Sequence, residues 1–275
     1  MVMKLFPLIL GCIFSVSLAA APVQKKTPAP LTQEQRNINA KKAEASFKKV
    51  LANLKKDPGF MKRATTPTKG SSHHNKRIAA KMAQAKAQKE KIKILFLGDS
   101  ITHGWERAGK KLFEKNFAPC NTLNLGCNGD RTEYTLWFVE KSGILDHIKP
   151  QLVVIMIGTN NLSRSYSPEA VAKAIGMIKD SLRKRYPEAK ILLYGIFPRE
   201  GDTAHPLRLL IARTNAIIST YADNKNVFYE DIGYHMLNPG GYLERSMMRD
   251  LLHPGEEGYQ IWADSIMKYV KKFVK

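Results

Sequence analysis

From about residue 92 the chain alternates between short continuous apolar runs and longer segments whose apolar residues recur every three or four positions. Short β-branched and aromatic runs between turn signals read as buried strands, and the longer period reads as amphipathic helix. Strands are predicted at 92–97, 122–125, 152–157, 191–195 and 227–231, with helices at about 105–116, 131–140, 168–186, 207–223 and 256–273. The third helix is the best specified. Ser167 caps it, Pro168 and Glu169 suit its first turn, and Val171, Ile175, Ile178 and Leu182 form the buried stripe. Tyr259 and Trp262 share one face of the last helix and read as core. Five apolar strands alternating with helices predict an α/β domain around a parallel sheet covered on both faces.

The pattern upstream is different. Residues 1–20 read as an export signal: Lys4 supplies the charged start, an apolar stretch runs to Leu18, and Ala19 and Ala20 offer a small-residue cleavage site. A lipid-attachment reading would use Cys12, but Leu10 is bulky for that motif. Residues 21–72 read as a basic arm, opening with a Pro/Lys-rich linker. Within it Phe47, Val50, Leu51 and Leu54 recur at helical spacing and suit a docking face better than a membrane anchor. The main domain is placed at 73–275, with a helix over 75–89 leading into the first strand. His73 and His74 are adjacent in a polar stretch and read as solvated rather than metal-binding.

Charge follows the same division. The formal net charge is +20, and residues 23–93 carry 19 Lys and Arg against 4 Asp and Glu. Residues 94–275 are nearly balanced, 24 against 20. A nucleic-acid footprint belongs on the folded domain among aromatic platforms, so nucleic acid is not expected as a partner. The basic arm is instead a solvated tether or a contact for an anionic envelope surface. Cys120 and Cys127 flank a strand. Extended chain of that length spans roughly 23 Å, too far for a disulfide, which needs Cα atoms within about 7 Å.

Candidate chemistry gathers after the strands. Gly98-Asp99-Ser100 follows the first, Asn124 to Asp130 follows the second, Gly158-Thr159-Asn160-Asn161 follows the third, and Asp250 to His253 precedes the last helix. Open α/β sheets hold their sites at the carboxyl ends of strands. A serine hydroxyl is a weak nucleophile until an imidazole removes its proton. The three-residue spacing lets Asp250 meet the imidazole of His253 and fix its tautomer. Gly-Asp-Ser alone is also a plain turn, and the pentapeptide lacks the final glycine of the α/β-hydrolase elbow.

Taken together and in order, these blocks resemble those of the SGNH (GDSL-type) hydrolases. The stretch 92–262 is similar to the branch containing the platelet-activating-factor acetylhydrolase catalytic subunits, through Asn124-Leu125-Gly126, Gly129-Asp130-Arg131-Thr132, Leu136-Trp137, Gly158-Thr159-Asn160-Asn161, Gly195 to Arg199 and Leu252-His253. The resemblance implies a three-layer αβα, flavodoxin-like sandwich with sheet order 2-1-3-4-5, and ester hydrolysis with no cofactor and no metal. It makes Ser100 the nucleophile, His253 the base and Asp250 its orienter. The backbone N–H groups of Ser100 and Gly129 and the Asn160 amide become oxyanion donors. Asp99, His103 and Arg131 are candidates for loop or substrate support, with Asp130 and Arg131 bracing one another. Cys127 and Asn128 depart from the branch, which usually has an aliphatic residue and a second glycine there.

The expected protein is therefore an exported (periplasmic or extracellular) serine esterase acting on a small acylated substrate. Removal of acetyl from a carbohydrate hydroxyl, as in an acetylated glycan, is the leading expectation. A lysophospholipase or phospholipid acetylhydrolase is the alternative, and a non-catalytic envelope-binding protein is a second. The oligomeric state is left open.

Overall fold

The computed structural model describes residues 59–275, together with Lys41, Ala45, Lys48 and Ala52. The export signal, Cys12 and the stripe Phe47, Val50, Leu51 and Leu54 lie outside the described residues. Two helices come first, α1 (Gly59–Thr65) and α2 (Ser72–Gln88). Strand β1 (Ile94–Gly98) leads through α3 (Ser100–His103) and α4 (Lys110–Asn116) to β2 (Thr122–Asn124). Helix α5 (Thr132–Lys141), β3 (Leu152–Met156), α6 (Thr159–Leu162) and α7 (Pro168–Arg185) follow. The remainder is β4 (Lys190–Tyr194), α8 (Pro206–Ser219), β5 (Val227–Glu230) and α9 (Glu256–Phe273).

All strand pairs are parallel and the order is β2-β1-β3-β4-β5, as expected. Side chains alternate across a strand, so each strand feeds two cores. Leu95, Leu97, Val153, Ile155, Ile191 and Leu193 face one side, where α1, α2, α5, α7 and α8 pack. Ile94, Phe96, Val154, Met156, Leu192 and Tyr194 face the other. That second core is aromatic. Trp105, Trp262 and Tyr259 interlock there, with ring centroids 4.7 and 5.1 Å from the Trp105 indole. Helix α7 starts as its sequence predicts: the Ser167 hydroxyl accepts from Ala170 N at 3.1 Å and its apolar stripe is buried.

Three differences from the sequence pattern matter. The helix expected over 105–116 is a 3₁₀ turn (Gly104–Glu106) followed by α4, because Gly109 lies flush on the Trp105 and Tyr259 rings. Single-turn helices α3 and α6 sit at strand ends and are too short to show periodicity. Residues 59–65, in the stretch read as arm, form α1 against α5 and α7, with Ala64 fully buried. The body thus begins earlier than composition implies, and α2 carries His74 inside it at 9% exposure rather than into solvent. No helix among the described residues is long and apolar enough to cross a membrane.

Candidate active site

The carboxyl edge of the sheet gathers the candidate residues. β1 ends at Gly98, whose Cβ, if present, would stand 2.3 Å from the Met156 carbonyl and 2.1 Å from Thr102 Oγ1. Only glycine leaves room for this close approach of β1 to Met156 and Thr102. Asp99 caps α3: its Oδ1 accepts from Ile101 N at 2.9 Å. It is completely buried, and burial pushes its carboxyl up to about 7 despite the Ile101 hydrogen bond and the nearby Arg199. From the other side the Tyr259 hydroxyl donates to the Ile101 carbonyl at 2.6 Å. Ser100 is thereby presented at the first position of a short helix anchored on both flanks.

His253 reaches it from the loop between β5 and α9. Its Nε2 lies 2.8 Å from Ser100 Oγ, and its Nδ1 lies 2.7 Å from Asp250 Oδ2. A proton on Nδ1 satisfies the carboxylate and leaves Nε2 free to accept from the serine hydroxyl. Asp250 Oδ1 also accepts from the backbone N–H of Leu252 and His253 at 3.1 and 2.8 Å. Burial raises the Asp250 carboxyl, but the imidazole and the two N–H groups outweigh it and hold the group below its ordinary value. Between the partners Leu251 adopts φ +59°, a left-handed conformation that costs a leucine of order 1–3 kcal/mol. The turn is thus bent locally to bring carboxylate and imidazole together.

The oxyanion candidates come from the β2 and β3 loops. Gly129 has φ +75° and nothing within 4 Å of where a Cβ would be, so its backbone is open to an incoming group. Asn160, half-buried on α6, donates through Nδ2 to the Asp130 carbonyl at 2.9 Å. An amide has two such hydrogens, and the second is available to a substrate oxygen. Its neighbour Asn161 is wholly buried and structural: its side chain accepts from Thr132 N at 3.0 Å and donates to Glu133 Oε2 at 2.9 Å. Asn124 holds the same region, donating to the Thr102 carbonyl at 3.1 Å and accepting from Gly126 N at 2.9 Å.

The supporting residues divide differently from expectation. Asp130 and Arg131 do not brace one another. Asp130 faces His74 and accepts from Thr135 Oγ1 at 3.5 Å, while Arg131 pairs with Glu133 at 3.0 Å and hydrogen-bonds the Tyr134 hydroxyl. Both arrangements serve the loop. His103 is buried, and burial together with the Arg77 charge lowers its pKa to about 4, so it stands neutral. Sequence reasoning missed Arg77 on α2. Its guanidinium makes paired 3.0 Å bonds to Glu106, and it donates to the carbonyls of Gly126 and Asn124. Lys81 adds a 2.8 Å contact to Glu106. These hydrogen bonds outweigh the burial of Glu106 and hold its carboxyl down at about 2. No periodicity in the sequence marks Arg77, since its partners lie far along the chain. Cys120 and Cys127 are free, as expected, and burial pushes the Cys127 thiol up to about 12.

A serine, an imidazole and a carboxylate stand in hydrogen-bonded sequence at the carboxyl edge of the sheet, an arrangement suited to acyl transfer. Residues 96–261 match the GDSL-like Lipase/Acylhydrolase family. The chain belongs to that family and is a carboxylic ester hydrolase. Among its relatives, the platelet-activating factor acetylhydrolase IB subunit alpha2 of Rattus norvegicus is 34% identical over 167 residues, 60% of this chain and 70% of that one. A GDSL-like lipase from Bacteroides thetaiotaomicron superposes with TM-score 0.60 at 24% identity, over 72% of this chain and 97% of that one. The acetylxylan esterase Axe2 of Geobacillus stearothermophilus superposes with TM-score 0.53 at 19% identity, over 66% and 95%.

Proposed function

We propose that this chain is an exported serine esterase that removes a short acyl group, acetyl, from a hydroxyl of a carbohydrate. The observation that carries the reading is the 2.8 Å contact between Ser100 Oγ and His253 Nε2, with Asp250 behind the imidazole. His253 takes the serine proton as Oγ attacks the ester carbonyl, and Asp250 stabilises the imidazolium. The oxygen that becomes negative is met by the N–H groups of Ser100 and Gly129 and by the Asn160 amide. His253 then protonates the leaving alcohol, and water repeats the sequence on the acyl-serine. His253 and Asp250 have side chains 42% and 56% exposed, so the alcohol part of the substrate sits in open solvent, which suits a hydrophilic polymer. Tyr234, 66% exposed on the turn after β5, offers an aromatic face along the same rim. Export rests on the charged start and apolar stretch of residues 1–20.

A second reading, acetyl release from a phospholipid, is favoured by the acetylhydrolase subunits at 30–34% identity. The test is acetate release from acetylated xylan, pectin, sialate, peptidoglycan and short-chain phospholipids, by wild type and Ser100→Ala. Faster release from a glycan supports the first reading and faster release from the lipid the second. Equal release by the serine variant would remove Ser100 from the chemistry, and no release by wild type from any of these esters would leave the envelope-binding alternative.

A further inference from the structure

Around the loop after β2 lies a polar cluster that the proposed ester chemistry does not use. His74 of α2, Cys127 and Asp130 bring their ligand atoms within 4.8 Å of one another, and all three residues are more than nine-tenths buried. His74 Nε2 and Asp130 Oδ1 face each other at 2.9 Å as a buried pair, with no third partner on either atom. Their other polar atoms are engaged: His74 Nδ1 with the Ser71 hydroxyl at 2.9 Å, and Asp130 Oδ2 with Thr135 Oγ1 at 3.5 Å. Metal-binding imidazoles and carboxylates are held in this way, the distal atom tied by an outer partner and the proximal ones turned toward a common point. Cys127 and Asp130 are joined by a turn, Asp130 N donating to the Cys127 carbonyl at 3.1 Å, so two side chains three residues apart project to the same side. A cavity of about 10 Å³ adjoins them, lined also by Gly70, Arg77 and Tyr134. That is near the smallest space that holds one water or one ion.

We propose that His74 Nε2, Cys127 Sγ and Asp130 Oδ1 form a binding site for a zinc-type divalent cation, with water in the fourth position. A nitrogen, a sulfur and a carboxylate oxygen are the donor set of tetrahedral zinc, whereas a thiolate disfavours the hard cations calcium and magnesium. Binding breaks the Cys127 S–H bond, forms a metal–sulfur bond and releases the proton to solvent; no electron moves. One thiolate and one carboxylate then neutralise the two charges of the ion. The nearest cation, Arg77, is already paired with Glu106, and Lys81 shares that carboxylate. The ion takes no part in the hydrolysis proposed above. It clamps α2 onto the loop that carries Gly129, which couples occupancy to stability.

The test uses the full-length Ser100→Ala protein, so that esterase chemistry cannot enter the readout. Titration with Co²⁺ is expected to give a thiolate-to-cobalt charge-transfer band saturating at one equivalent. Zn²⁺ is expected to bleach it and to raise the melting temperature. Cys127→Val should abolish the band, and His74→Ala should weaken Zn²⁺ binding by at least roughly tenfold. Circular dichroism checks that both variants fold. Absence of the band in the parent protein, or its persistence in Cys127→Val, would overturn the proposal and leave His74 and Asp130 as an ion pair. Because the parent alone can give that negative result, a variant that fails to fold does not protect the idea.

Discussion

Ser100 and His253 meet at 2.8 Å from opposite kinds of surroundings. On the serine side, Asp99, Ile101 and Tyr259 are at most 1% exposed, and the turn is wedged between a strand end and the aromatic core. On the histidine side, Asp250 and His253 are half in solvent, and their alignment rests on an Asx-type turn with a left-handed leucine inside it. One half is positioned by burial of long-range contacts and the other by bonds within four residues. Buried positioning resists motion and is costly to disturb, whereas local positioning can be reset by a single exposed side chain. In the proposed mechanism the Ser100 side is therefore the rigid template, and His253 is delivered to it.

Several measurements sharpen that contrast or break it. Ser100→Ala is expected to cost about 10⁴–10⁶-fold in kcat for p-nitrophenyl acetate, with the melting temperature nearly unchanged. Asn160→Ala removes one oxyanion donor and should lower kcat about 100- to 1000-fold with little effect on KM. If it unfolds the protein instead, Asn160 belongs with Asn161 as structure. Asp250→Ala on the exposed side is expected to cost less than Asn160→Ala, because water can enter the vacated place and partly replace a solvated carboxylate. A loss beyond that of Asn160→Ala would mean the local half is as critical as the buried one.

Two further variants probe the template itself. Arg77→Met removes the guanidinium from the Gly126 carbonyl and leaves Glu106 with Lys81 in place of its paired contact, and should destabilise the fold by about 2–4 kcal/mol in urea denaturation. Glu106 has its carboxyl lowered to about 2, so its contribution is present at neutral pH and is lost as pH falls from about 4.5 toward 2. The Arg77→Met deficit should shrink over that window. Asp99 runs the other way. Its folded pKa near 7 lies above the ordinary 3.8, so its effect on stability is a loss that grows as pH rises between those values. Asp99→Asn keeps the cap on Ile101 and lacks that loss. Relative to wild type it should gain about 1–3 kcal/mol at pH 8 over pH 4, and parallel pH–stability curves would show that Asp99 does not titrate in this way.

Much of this is legible in the sequence. The strands, the long helices α7 and α9 and the sheet's parallel sense follow from apolar runs and periodicity, which depend on neighbours within a few residues. The pair Asp250 and His253 was legible for the same reason, its spacing being local. The short helices α3 and α6 were not, since one turn carries no period. His74 was read as solvated because its sequence neighbours are polar, while its burial depends on α2 docking against a loop more than fifty residues away.

The chain's own order of residues determined which segments become strand or helix, that the sheet is parallel, and which five residues are candidates for the ester chemistry. Tertiary structure alone decided that Arg77, His74 and Glu106 gather around the loop after β2, that Asp99 is completely buried, and that Asp130 turns to His74 rather than to Arg131. The physical reason is range. Backbone propensity and side-chain alternation are written in adjacent residues, but burial, charge pairing and pKa are set by whatever the completed fold brings within a few ångströms.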